Sequence, residues 1–488
     1  MGDPSVRPAG EKGLGTLIAL YVPGQILPAI ISFCAIPFLT RLFSQEQYGY
    51  YVLVLATATT VSSLGFSWVG NCALRFYRSL EENASKFFFN LLFSTIVTTT
   101  AIIAIVSLAW IWLPEKYQGI LLISGPLTML LGVVVVLNNV LRAQSKAVAF
   151  SLFQGLTVLA RFLPGIVAVA WISSEVKSFV AAWTLGTLGV VILLIIYTGS
   201  QKAMSTRKPD GALLGEFFRY GIPITAVSAM GIIINTADRY IIDIFRPPSA
   251  VAIYGVSYQL GSMSILIISR AIMMAVLPRA IDTHELGQEY TKVATRGLRY
   301  FLLAAFSVLA VVGVPAPQIL AIYAGAGYEA GGNVLRLVML AIFMMSLAHY
   351  FRMPFLINRR TSTLLIIGML PAISSIVLNL VLVPAYGSVG SALALLLSYS
   401  LMLLMSIYFS KQIVRIKWPA ATIGRCMMAL AVVLAIAWIT RCFLELSSLA
   451  LLGLAMTGWM LVYGLVLYVS GEIKGEVNYI KRALWDRR

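Results

Sequence analysis

The sequence predicts an all-α polytopic membrane protein with about 14 transmembrane helices. Three observations predict it. The chain is 59% hydrophobic and only 11% charged, whereas a soluble domain carries about 25% charged residues. A soluble fold of this size could not hide that much apolar side chain from water. Apolar runs long enough to cross hydrocarbon then recur along all 488 residues. Finally, Lys and Arg alternate between crowded and nearly empty connections.

The runs fall near 15–40, 47–73, 87–113, 119–141, 147–172, 177–199, 214–243, 250–277, 298–323, 331–356, 362–384, 388–410, 420–441 and 447–470. Each is roughly 20 to 30 residues, enough to span about 30 Å of hydrocarbon with some tilt. The first is too long for the apolar core of a signal peptide, so it reads as a retained helix. The connections are short. The longest lie near 200–213 and 278–297, and the second reads as an amphipathic interfacial helix.

If the N-terminus is cytoplasmic, inside connections hold about 27 Lys and Arg and outside ones about 5. The bias holds loop by loop, which an odd helix count would reverse partway. Both termini are therefore expected in the cytoplasm. The same bias explains the net charge of +17 without nucleic acid, for which no soluble basic domain exists. The four cysteines, Cys34, Cys72, Cys426 and Cys442, have no paired spacing and suggest neither disulfides nor a metal site.

An internal repeat is visible. Tyr21 and Pro23 open the first helix as Tyr220 and Pro223 open the seventh. Tyr48-Gly49 begins the second as Tyr254-Gly255 begins the eighth, and Arg75 and Arg279 close them. Six helices separate the copies, so the halves should be related by an axis along the membrane normal. The expected organisation is a six-helix bundle over 1–210, another over 211–412, and helices 13 and 14 with a cytoplasmic tail over 413–488. Two similar bundles around a cavity are a usual transporter design.

Ionisable groups inside a span cost about 3 kcal/mol or more and mark function by default. Arg161 lies mid-span in helix five, on one polar stripe with Ser151, Gln154 and Thr157. A structural ion pair is the competing reading for any such residue. In helix seven, Ser228, Gly231, Asn235 and Asp238 share a face, with Arg239 adjacent. As sequence neighbours, Asp238 and Arg239 should point apart and need not pair. Arg270 lies in the inner half of helix eight, and Arg336 near the outer end of helix ten. His349 reads as a structural hydrogen-bonding group more readily than as a proton relay.

The deep charges are mostly cationic, which favours an anionic cargo, because arginine matches phosphate oxygens in a planar fork. Arg161, Arg270, Gln154 and Asn235 are the candidate substrate-binding residues. Arg41, Asp238 and Arg239, near the outer ends of helices one and seven, are candidates for a gate or inter-bundle ion pair. No Walker loop, dinucleotide fingerprint or zinc motif is present in the sequence, and no long outer loop could house a reaction site. The expectation is a protein that is not an enzyme and uses no cofactor or metal.

These residues carry a resemblance. Residues 37–77, with Thr40-Arg41-Leu42, Tyr48-Gly49 and Arg75-Phe76-Tyr77, resemble the opening of the bacterial polysaccharide transporter family. Residues 237–260 are similar to its seventh and eighth helices. Asn379, Pro384, Gly387 and Gly390 resemble the junction of helices 11 and 12 in the wider multidrug, oligosaccharidyl-lipid and polysaccharide exporter superfamily. The resemblance implies a Wzx-type flippase in the bacterial inner membrane. Its cargo would be undecaprenyl-pyrophosphate-linked oligosaccharide for O-antigen, capsule or exopolysaccharide, held in a cationic cavity. Membrane lipids and other polysaccharide-assembly proteins are the implied partners. A small-molecule or drug exporter on the same fold, and a non-transporting scaffold of a polysaccharide synthase, stand as alternatives.

Overall fold

The computed structural model describes residues 23–200, 208–358, 360–443 and 448–474. Within these, the side chains of 23–26, 81–82, 226–230, 233–235, 361 and 441–443 lie outside the described set. The helices are α1 (Pro23–Leu42), α2 (Gln45–Phe76), α3 (Ala84–Ala109), α4 (Glu115–Ala143), α5 (Ala147–Trp171), α6 (Val176–Thr198) and α7 (Gly211–Phe245). They continue as α8 (Pro248–Glu285), α9 (Thr291–Gly313), a short helix Ala316–Ala324, and α10 (Gly332–Ile357). One helical run, Thr361–Ser410, breaks at Gly387, and its limbs are α11 (361–386) and α12 (388–410). The last two are α13 (Ala420–Phe443) and α14 (Leu449–Val469). The described residues contain no strand.

Eleven of these elements are long and apolar enough to cross a membrane. That count takes Ser362–Ser410 as one element and omits α1 and α7. Dividing it at Gly387 and adding those two restores the fourteen expected segments. The surface is apolar to match, with Trp112 and Trp171 each about nine-tenths exposed. Only lipid makes such exposure inexpensive.

Two expectations need correction. The amphipathic stretch after 278 forms no separate interfacial helix. Its first residues extend α8 to Glu285, Gly287 turns the chain with φ +70°, and α9 begins at Thr291. A left-handed residue ends a helix, and glycine takes it without a Cβ clash. The ninth helix also stops early, at Gly313, because Pro315 has no N–H to continue the ladder.

The chain divides into two compact units, Met1–Thr236 and Ala237–Arg488, with the boundary inside α7. In the first unit, α2 and α4 pack closely, since Gly132 lets the Phe66 ring rest on the α4 backbone. Helices α5 and α6 approach closely at Gly186, where a Cβ would stand 2.5 Å from the Ala160 carbonyl. Small residues at such crossings are how membrane helices gain contact without a hydrophobic drive. Phe217 of α7 is fully buried in a core with Phe66, Val69, Phe87 and Val140.

In the second unit, Arg246 donates to the Pro384 carbonyl at 2.8 Å and Ser388 to the Ala250 carbonyl at 3.0 Å. These bonds answer part of the backbone polarity exposed where Gly387 breaks the helix. Arg336 donates to the last carbonyls of α9, Gly313 at 2.8 Å and Val314 at 3.2 Å. A cation at a helix C-terminus is favourable there. Arg336 therefore caps a neighbouring helix. Helices α13 and α14 pack on α9, tied at one end by Glu472. This carboxylate accepts from Arg299 Nε and Thr422 Oγ1, each at 2.6 Å, and from Arg425.

Candidate functional site in the membrane-spanning bundle

Arg161 projects from α5 toward α2 and α6. Its Nε donates to the Tyr51 hydroxyl at 2.8 Å, and its Nη2 donates to the same oxygen. Three rings surround the guanidinium: Phe162 with its centroid at 4.5 Å, Trp183 at 5.1 Å and Tyr51 at 5.3 Å. Edge contacts of Tyr51 with Phe179, at 5.2 Å between centroids, fix the phenol in turn. Aromatic faces carry negative quadrupole density, so they hold a cation where bulk water is scarce. Among the described residues, no carboxylate pairs with Arg161. The charge is positioned but not cancelled.

The polar stripe on α5 does not act as one surface. Thr157 donates back to the Phe153 carbonyl at 2.7 Å, and Ser151 is buried. Gln154 opens into a cavity of about 330 Å³ between α2, α4 and α5. Its lining includes Ser62, Ser63, Asn138, Asn139, Arg142 and Phe150.

Asp238 and Arg239 lie in the second unit, and they correct the expectation that they would point apart. Arg239 Nη1 reaches Asp238 Oδ1 at 3.3 Å, and the Arg239 backbone N–H donates to the same oxygen at 2.8 Å. The long arginine stem folds back across the helix. The other carboxylate oxygen accepts from the Tyr254 hydroxyl. Tyr258 lies under the guanidinium at 5.0 Å. Asp238 is buried and Arg239 half-buried, and the two charges neutralise each other, unlike that of Arg161.

Arg270 is exposed on α8. Arg41 donates to the Pro37 carbonyl of its own helix at 2.8 Å. The side chain of Asn235 and the whole of Tyr21 lie outside the described residues. Arg161 and Gln154 therefore share the first unit, while Arg270, Asp238 and Arg239 belong to the second. Among the described residues, no group of His, Cys, Asp and Glu could hold a metal ion.

Sequence reasoning missed the partners. Nothing in the sequence pattern singled out Tyr51 or Trp183. Asn138-Asn139 and Ser62-Ser63 are neutral pairs inside apolar runs, and that interruption was the available signal.

Residues 16–284, over half the chain, match the family described as polysaccharide biosynthesis protein. The chain belongs to that family. A curated relative, the probable low-salt glycan biosynthesis flippase Agl15 of Haloferax volcanii, is 20% identical over 459 residues, covering 91% of this chain and 93% of its own. Among solved structures, the lipid II flippase MurJ in an inward closed conformation superposes with a TM-score of 0.78 at 12% identity. It covers 94% of this chain and 100% of its own. An inward-facing multidrug resistance MATE family transporter of the MOP superfamily gives 0.63 at 13% identity, covering 80% and 97%. At these identities the likeness is one of fold. The family and the superfamily fold are those the sequence resemblance implied.

Proposed function

We propose that this protein is a flippase that moves a polyprenyl-pyrophosphate-linked oligosaccharide across a membrane by alternating access, in the assembly of a surface polysaccharide. The observation that carries the reading is the guanidinium of Arg161, held by the Tyr51 hydroxyl and three rings inside a membrane-spanning bundle, with no carboxylate partner among the described residues. A half-buried cation in a membrane span that is not neutralised is costly. An anionic cargo would offset that cost during transport. Its remaining donors match a phosphate in a bidentate fork. The flippase names of Agl15 and MurJ support the same class of cargo. Arg270, exposed and without a hydrogen-bond partner among the described residues, is a second candidate contact. The bacterial inner membrane, with both termini cytoplasmic, is the setting consistent with the distribution of Lys and Arg.

The test is flipping of a lipid-linked oligosaccharide in proteoliposomes. Arg161→Ala should lower the rate about tenfold or more, the worth of roughly 1.4 kcal/mol. Arg161→Lys should restore it in part, because an ammonium keeps the charge but loses the fork. A folded Ala variant that flips at the wild-type rate would remove Arg161 from the cargo path.

A further inference from the structure

The cavity between α2, α4 and α5 is chemically unlike the Arg161 cage. Asn138 is 6% exposed, and its Oδ1 has no hydrogen-bond partner among the described residues. An unmet buried acceptor is costly, and Asn138 is one of the residues that line the cavity. Gln154, which also lines the cavity, makes no hydrogen bond to any described residue. Ser62 donates to the Thr59 carbonyl at 3.1 Å, which leaves its lone pairs available.

The neighbouring amide is fixed. Asn139 Nδ2 donates to the Val135 carbonyl at 3.0 Å, and its Oδ1 accepts from Arg142 at 3.1 Å. Arg142 is exposed and stands 6.0 Å from the Phe150 ring centroid. The lining thus combines carboxamides and hydroxyls with one aromatic ring and contains no carboxylate. A cation finds no counter-charge there. A phosphate finds a single peripheral guanidinium, Arg142, which already donates to Asn139. A neutral polyhydroxylated ring suits this lining: its hydroxyls exchange hydrogen bonds with the carboxamides and serine hydroxyls, and its C–H face rests on apolar wall. The volume, about 330 Å³, lies at the small end of ligand pockets, which run from roughly 300 to 1,000 Å³.

We propose that this cavity binds one sugar ring of the cargo and that Asn138, Gln154 and Ser62 set which sugar is accepted. The proposal rests on the glycolipid-flippase reading and divides the work: Arg161 takes the charge, and the α2–α4–α5 cavity takes the glycan.

The first measurement is saturation-transfer NMR on the detergent-purified protein with a panel of hexoses and N-acetylhexosamines as methyl glycosides. At least one should receive saturation from the wild-type protein. That signal should fall several-fold in Asn138→Leu and Gln154→Leu and survive added inorganic pyrophosphate. Asn138→Leu removes an unmet acceptor at similar volume, so its melting temperature should equal or exceed the wild type, which separates binding from folding. No signal from any glycoside, or a signal unchanged in both variants, overturns the sugar site. The second measurement is flipping in proteoliposomes, where both variants should slow a lipid-linked oligosaccharide tenfold. If both flip normally while Arg161→Ala does not, the sugar site falls and the flippase reading stands. If the wild type binds sugar but flips no lipid-linked glycan, the flippase reading falls and the sugar site stands.

Discussion

Arg161 donates from two of its nitrogens to a single oxygen, the hydroxyl of Tyr51. That oxygen is neutral, so the bonds orient the guanidinium without cancelling its charge. Tyr51→Phe should keep the ring contacts and lose the acceptor. Hydrogen bonds to charged groups are worth about 1.5–3 kcal/mol. We expect thermal stability in detergent to fall by about that amount and the flipping rate to fall several-fold. Combining Tyr51→Phe with Arg161→Ala should add little beyond Arg161→Ala alone. Simple additivity of the two losses would show that Tyr51 does not act through Arg161.

Glu472 ties α9 to α13, and it titrates. Burial alone would raise its carboxyl, but hydrogen bonds from Thr422, Arg299 and Arg425 outweigh this and hold it below the ordinary Glu range. A depressed folded value means the stabilisation is fully present above the unfolded value, about 4.3. It is lost as pH falls from there through the folded value. The melting temperature should therefore drop on acidification below about pH 4.3. Glu472→Gln should be less stable at pH 7 by on the order of 2 kcal/mol. That is less than a fully buried pair because both guanidiniums keep contact with water. A Gln variant whose melting curve follows the wild type at both pH values would remove Glu472 as a stabilising tie.

The helix count was legible because apolar length and basic-loop bias are local properties of the chain. Arg161 was legible because a charge in an apolar run is expensive wherever it sits. Its cage was not, since Tyr51 lies 110 positions away and an aromatic in a span usually packs. Asn138 was illegible for a related reason. A neutral amide costs less to bury than a charge, so its place in an apolar run carries a weaker signal. The contact between Asp238 and Arg239 escaped a rule about backbone directions because a long arginine stem can turn back. Glu472, Arg299 and Arg425 come together only through the packing of three helices.

The break between α11 and α12 depends on glycine. Gly387 has φ +56° and ψ −134°, a region that L side chains avoid. At Gly390, a Cβ would stand 2.3 Å from the Leu382 carbonyl oxygen. Gly387→Ala should cost about 1–3 kcal/mol through backbone strain. Gly390→Ala should be worse, because the obstructing atom is backbone and cannot rotate away. Detergent melting curves of the two variants give the order. A Gly390→Ala protein as stable as the wild type would mean that the close turn is not required.

Asp238 and Arg239 should behave as a structural unit. Asp238 is 2% exposed and accepts from both Tyr254 and Arg239. Removing one member of a buried pair leaves the other uncompensated, at about 3–5 kcal/mol. Asp238→Ala should therefore destabilise strongly. Asp238→Asn should cost less, because its amide oxygen can still accept from Tyr254. Arg239→Leu leaves a buried carboxylate whose remaining side-chain donor is the Tyr254 phenol, so it should also be unstable. Joint replacement, Asp238→Asn with Arg239→Leu, removes both charges and should recover much of the loss. The wild type, Asp238→Asn, Arg239→Leu and the joint variant form a double-mutant cycle read by melting temperature. A coupling energy near zero would mean that the two charges do not stabilise one another. A large coupling combined with wild-type flipping in the joint variant would assign the pair to stability and leave the movement of anionic cargo to Arg161.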